Sequence, residues 1–397
     1  MTTVYNSLPM SRFNADHINE TIERALASAG LDTSTGLMHG VTETIRRALS
    51  SGVLSSFGVH DAPPLEVVER VGEQISPLGR AEPSPPSSSG GLGLPGRFIT
   101  SEFSNQAGTR AYKLYVPSQA SDSRRPLIVM LHGCTQSADD FARGTQMNRS
   151  AEENGFLVLY PEQAASANVS KCWNWFQPHD QKRDKGEPSV IAGMVGEVAG
   201  AYGVDERRIF VAGLSAGAAM AVVLGETYPD IFAAVGAHSG LPFASAHDIP
   251  SAMAAMKGGR GRSGSAGVIG ARVGERSCKQ AVPTIVFHGD RDHTVQHSNG
   301  AAILQQASDA HAAAGKTNGN TLATSTERGT APGGRTFSRS VHSEADGRPH
   351  LEFWTLHGAG HAWSGGNGSG SYTDCKGPDA SAELVRFFLA QPRAGSA

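Results

Sequence analysis

The strongest constraint on this chain is a succession of short apolar runs rich in branched and aromatic residues, each followed by a helical stretch. The runs begin AYKLYVP at Ala111, PLIVMLHG at Pro126, FLVLYPE at Phe156, IFVAGLS at Ile209, FAAVGAHSG at Phe232, TIVFHGD at Thr284 and LEFWTLHG at Leu351. Helical patterns fall near 190–202, 216–228, 299–313 and 379–390. Strands that are apolar throughout, rather than alternating, must be buried on both faces, and only helices on either side of a sheet achieve that. The expected fold class is therefore α/β, with a mostly parallel, doubly wound sheet.

The sheet-forming texture begins only after residue 97, so the 397 residues divide unevenly. Ile18–Leu31 and Val41–Leu54 are near-copies displaced by 23 positions, each amphipathic, which predicts a helical hairpin within a leader over 1–75. The hairpin packs on the main domain or joins two copies of the chain into a homo-oligomer, and both readings stand. Residues 76–97 are dense in Pro, Ser and Gly and read as a linker, 98–392 as one catalytic domain, and 393–397 as a disordered tail. Two interruptions, 257–274 and 316–348, are rich in Gly, Ser, Thr and charge, and the first reads as a mobile surface insertion. With 34 basic against 37 acidic residues the net charge is −3, which builds no field for nucleic acid or anionic lipid. Neither nucleic acid nor membrane is an expected partner. No signal-peptide pattern or membrane-length apolar run is present, so the sequence alone points to the cytoplasm. Cys134, Cys172, Cys278 and Cys375 allow three disulfide connectivities or four free thiols.

Gly213-Leu214-Ser215-Ala216-Gly217 matches G-x-S-x-G. The string alone is weak, but it directly follows the strand IFVAG and opens the helical AAMAVVLGETY, the setting that holds a serine exposed on a tight strand-to-helix turn. A serine hydroxyl needs a base to take its proton, and that base needs a carboxylate to orient it. The strand TIVFHG runs into Asp290 and Asp292, 75 and 77 positions after the serine. Asp292, further into the turn, is the expected acid, and Asp290 the loop brace. His361, 69 positions later and flanked by Gly360, is the expected base. His357 and His361 would share a face as metal ligands only on a helix, whereas Gly358 and Gly360 make the segment a loop, so neither a metal nor a cofactor is expected. The backbone N–H groups of Ala216 and of Cys134, in the turn after PLIVMLHG, are the candidate oxyanion donors. Trp173, Trp175 and Trp363, at strand-end loops, are expected to contact substrate. His132, His238 and Ser239, also at strand ends, read as turn braces.

Taken together and in order, LIVMLHGCTQSADDFA, LYPEQAASANVSKCWNWF, VDERRIFVAGLSAGAAMA, IVFHGDRDHTV and GAGHAWSGG resemble the polyhydroxybutyrate depolymerase family of esterases, related to some feruloyl and acetylxylan esterases. The resemblance covers roughly 98–392 and implies an α/β-hydrolase fold and a serine esterase mechanism. Ser215 would be the nucleophile, Asp292 the acid, His361 the base and Cys134 an oxyanion donor. It implies an ester substrate, short-chain polyhydroxyalkanoate oligomers or related small esters, and an extracellular setting as the alternative to the cytoplasm. A feruloyl or acetylxylan esterase and a non-catalytic hydrolase-fold binding protein are the rival readings. Ala218 departs from the second glycine that the family usually carries after the elbow.

Overall fold

A computed structural model describes residues 95–119, 121, 123–258, 281–314 and 322–391. The leader helices, most of the linker, most of the first insertion, Cys278 and the tail lie outside these residues. Within them, one ten-stranded sheet runs in the order β1-β2-β4-β3-β5-β6-β7-β10-β9-β8. The strands are β1 (Arg97–Asn105), β2 (Gly108–Val116), β3 (Arg125–Leu131), β4 (Leu157–Pro161), β5 (Val204–Leu214), β6 (Ala234–His238), β7 (Thr284–Gly289), β8 (Ala323–Thr330), β9 (Thr336–Ser343) and β10 (Pro349–Leu356). From β4 to β10 the sheet is parallel, and antiparallel strands flank it at both ends. All seven predicted runs are strands of this sheet.

The parallel strands are apolar on both faces because both faces are covered. Along β3, Leu127, Val129 and Leu131 belong to one core and Ile128 and Met130 to the other, as the two-residue strand period dictates. The first core is closed by α3 (Gly186–Tyr202) and α4 (Ala216–Thr227), through Ile191, Met194, Val198, Met220 and Leu224. The second is closed by α1 (Ala138–Thr145), α2 (Met147–Asn154) and α7 (Ala380–Leu389), where Phe388 stacks on Phe210 of β5 at 4.9 Å. Each fully buried phenylalanine contributes about 2–3 kcal/mol of transfer free energy. Helices α5 (Ile249–Met256) and α6 (Ser298–Ala314) complete the described helices.

Much of the second interruption is regular sheet. Residues 323–343 form the hairpin β8–β9, which extends the sheet beyond β10. Its residues are mostly exposed or half-buried, so no apolar periodicity marks them. Connection order places the functional edge: β3 leads to β4 on one side, and β5 returns to the other side of β3. Loops leaving neighbouring parallel strands at such a reversal diverge and leave a crevice at their C-terminal ends.

Candidate active site

Cys134 follows β3, Ser215 follows β5, Asp292 follows β7 and His361 follows β10, so all four sit at C-terminal ends of parallel strands. Ser215 occupies the N-cap position of α4 with φ 57° and ψ −119°, a strained backbone for a residue carrying a Cβ. What holds it there is the packing of α4 against β3 and β5. A Cβ on Gly217 would lie 2.1 Å from the Leu131 carbonyl oxygen and 2.5 Å from that of His132, and one on Gly213 would meet the Gly217 backbone at 2.4 Å. The Ser215 N–H donates to the His238 carbonyl at 2.9 Å, tying the turn to β6. Ala218, where a glycine was expected by resemblance, is accommodated because Gly240 faces it: a Cβ on Gly240 would come within 2.7 Å of the Ala218 methyl.

Asp292 is buried, and both its oxygens are committed. Oδ1 accepts the N–H groups of Thr294 at 2.9 Å and Val295 at 2.8 Å, while Oδ2 lies 2.7 Å from Nδ1 of His361. Burial alone would push this carboxyl pKa up, but the His361 contact, the Val295 N–H and the nearby His288 hold it below its usual value. An ionised Asp292 makes His361 Nδ1 the donor, which leaves Nε2 as the acceptor. Close approach makes this pair possible: a Cβ on Gly289 would meet the Ala359 carbonyl oxygen at 2.3 Å, so only glycine lets the two loops touch. Asp290 does brace the loop, accepting the Gly358 N–H at 2.6 Å and pairing with His357 at 2.9 Å. His357 and His361 are thus held by different carboxylates and do not form a joint ligand pair.

The turn after β3 is fastened on several sides. Cys134 and Cys172 form a disulfide, which closes the question of pairing for these two. Thr135 N–H donates to Ser170 O at 2.7 Å, and Gln136 Oε1 accepts the Gly133 N–H at 2.9 Å while its amide donates to Asp140. Among the described residues, neither the Cys134 nor the Ala216 N–H meets a protein acceptor.

His132 and His238 are braces, as read. Each is buried, and burial lowers its pKa, to about 3 for His238. His132 Nε2 accepts the Gln163 N–H at 3.1 Å, and His238 Nε2 accepts the Ser364 N–H at 3.0 Å, so His238 anchors the loop that follows His361. The three tryptophans expected to contact substrate are withdrawn from solvent. Trp173 and Trp363 are completely buried and Trp175 is 6% exposed. Trp173 packs on His132; Trp363 stacks on His238, meets Phe141 edge-on and donates to Ser381 at 3.2 Å. Trp173 and Trp175 belong to one core and Trp363 to the other, with Trp175 meeting Phe176 edge-on at 5.7 Å. Sequence reasoning also missed His288, whose Nε2 lies 2.8 Å from Val295 O beneath Asp292 and whose pKa burial lowers to about 4. Its only sequence signal was a histidine inside an apolar strand.

Comparison with known proteins gives the family and the fold. A family profile described as esterase PHB depolymerase matches residues 110–328. Poly(3-hydroxyalkanoate) depolymerase C of Paucimonas lemoignei is 32% identical over 272 residues, 68% of this chain and 63% of that protein. Feruloyl esterase B of Thermothelomyces thermophilus is 33% identical over 152 residues, 38% of this chain and 51% of that protein. The chain thus spans between half and two thirds of the length of these relatives. An acetyl xylan esterase from Aspergillus awamori shares the fold, with a TM-score of 0.53 at 20% identity over 71% of this chain and 94% of that one. A profile match over more than half of the chain, joined to an α/β-hydrolase sheet with a strained serine at its elbow, places the chain in the esterase PHB depolymerase family.

Proposed function

We propose that the chain is a serine esterase that cleaves carboxylic esters by acyl transfer, with Ser215 as nucleophile, His361 as general base and Asp292 as its orienting acid. His361 Nε2 takes the hydroxyl proton as Ser215 Oγ attacks the ester carbonyl. The Cys134 and Ala216 N–H groups donate hydrogen bonds to the oxyanion, and the alcohol leaves with the proton returned by His361. Water then repeats the sequence on the acyl-enzyme, releasing the acid. Asp292 keeps the imidazole in the productive tautomer and balances its charge when protonated. The observation that carries the reading is the buried Asp292, with both oxygens committed, at 2.7 Å from His361, in a chain whose Ser215 is held in a strained strand-to-helix turn.

The substrate class we infer is short-chain polyhydroxyalkanoate oligomers or related small esters, by analogy with the depolymerase relative. The feruloyl esterase relative keeps aromatic esters as the second reading. Ser215→Ala should lower kcat on p-nitrophenyl butyrate by about four orders of magnitude or more, with the fold intact by circular dichroism. Near-full activity in that variant ends the proposal. Turnover of 3-hydroxybutyrate oligomers, methyl ferulate and acetylated xylan then ranks the substrates.

A further inference from the structure

Far from the serine, three side chains converge where α6 meets the β9–β10 turn. His311 lies in the last turn of α6, Glu344 just past the end of β9, and His350 at the start of β10. A tight turn brings the last two together, with Glu344 N–H donating to Arg348 O and Gly347 N–H to Glu344 O, both at 2.9 Å. The β9–β10 register slips between Pro349 and Leu351, so His350 sits at a bulge, a device that re-aims a side chain. Here it brings His350 against His311, with ring centroids 4.3 Å apart.

The Nδ1 atoms of the two rings stand 3.2 Å (His350) and 3.7 Å (His311) from Glu344 Oε1, and one ligand atom from each residue lies within 4.8 Å of the others. Ligands about 2.0–2.1 Å from a tetrahedral Zn²⁺ are about 3.3 Å apart, so both contacts match the edge of such a polyhedron. All three side chains are largely withdrawn from water, at 13%, 16% and 8% exposure for His311, Glu344 and His350. Nε2 of each ring is buried with no hydrogen-bond partner among the described residues. The two rings meet at an interplanar angle of 54° and both turn Nδ1 toward the same Glu344 oxygen, so three potential ligand atoms of a His-His-carboxylate set converge on one point.

We propose that His311, Glu344 and His350 form a binding site for a divalent transition metal of the zinc type, with a fourth position open to water. The site clips the end of α6 to the hairpin that carries β10. It is structural rather than catalytic: it lies at the start of β10, whereas His361 follows the opposite end, a strand of eight residues or about 26 Å away.

The test uses the full-length chain, stripped with EDTA and dialysed against Zn²⁺ or Co²⁺. Wild type should retain one equivalent of Zn²⁺ through gel filtration, show the visible absorption of tetrahedral Co²⁺, and melt at a higher temperature with metal than without. His350→Gln and, separately, Glu344→Gln should lose at least about tenfold in metal affinity. Ester turnover of the stripped wild type at 25 °C should stay unchanged, which separates this site from the serine's. Equal Zn²⁺ retention by wild type and both variants, or no retention by wild type, overturns the proposal. Should one variant fail to fold, the other carries the comparison, and failure of Ser215→Ala to abolish activity would leave the metal result standing.

Discussion

Replacing Asp292 by asparagine isolates the role of one carboxylate without removing volume. In the wild type Oδ1 accepts two N–H groups and Oδ2 faces His361. Asparagine has one acceptor and one donor end and can turn either way. With its oxygen toward His361, the NH₂ would face the Thr294 and Val295 N–H groups, leaving two donors unpaired. At about 1–3 kcal/mol each, that orientation costs about 2–6 kcal/mol. The other orientation keeps both backbone bonds and points the NH₂ at Nδ1. His361 must then carry its proton on Nε2, the nitrogen that should accept from Ser215. The fold survives, because the lost contact is replaced by another hydrogen bond, while the base is held in the wrong tautomer. The expected loss in kcat is about 10⁴-fold, or about 5.5 kcal/mol of barrier. Steady-state hydrolysis of p-nitrophenyl butyrate, with a thermal melt of the same sample, measures both quantities. A variant within tenfold of wild-type kcat, at an unchanged melting temperature, would refute the assignment of Asp292 as the orienting acid.

Asp290→Asn provides the contrast: its contacts are to His357 and Gly358 only, so kcat should stay within a few-fold of wild type, and a loss comparable to that of Asp292→Asn would move the acid role to residue 290. Gly217→Ala places a methyl against two backbone carbonyls that cannot swing away, which should destabilise the domain by about 3 kcal/mol or more and be visible as a lowered urea midpoint; wild-type stability would count against the packing described for the elbow. Asp180 is raised to about 6 by burial and by the neighbouring Glu187 charge. A carboxyl raised on folding costs stability above its folded pKa, and the cost fades as pH falls from about 6 toward 4. Asp180→Asn should therefore raise the melting temperature at pH 8 and lose that advantage by pH 4; an equal shift at both would contradict this.

The central sheet was legible because burial on two faces leaves a loud signal: Leu127 through Leu131 or Thr284 through Gly289 can only be interior. The hairpin β8–β9 was silent for the opposite reason, since ATSTERGT is almost wholly exposed and its strand character comes from its neighbour across the ladder. The choice of Asp292 over Asp290 rests on position within the turn, and in the structure Asp292 faces His361 while Asp290 faces His357. The depth of the tryptophans was not legible, because loop membership suggests exposure whereas Trp173 and Trp363 fill space beneath the loops that carry them. The pairing of Cys134 with Cys172 could not be read from spacing, because four cysteines permit several pairings and only the meeting of two distant loops selects one.

That pairing has a practical edge. The sheet owes its cohesion to two apolar cores that contain neither half of the bond as a fully buried member, so a preparation made in a reducing cytosol should fold, dissolve and purify well. Yet the residue at one end of the bond is also the one whose backbone is asked to receive the oxyanion. Yield and solubility are therefore the wrong criteria for judging a batch of this protein. The fraction of molecules that react with a fluorophosphonate, compared before and after mild oxidation, measures how much of it is competent.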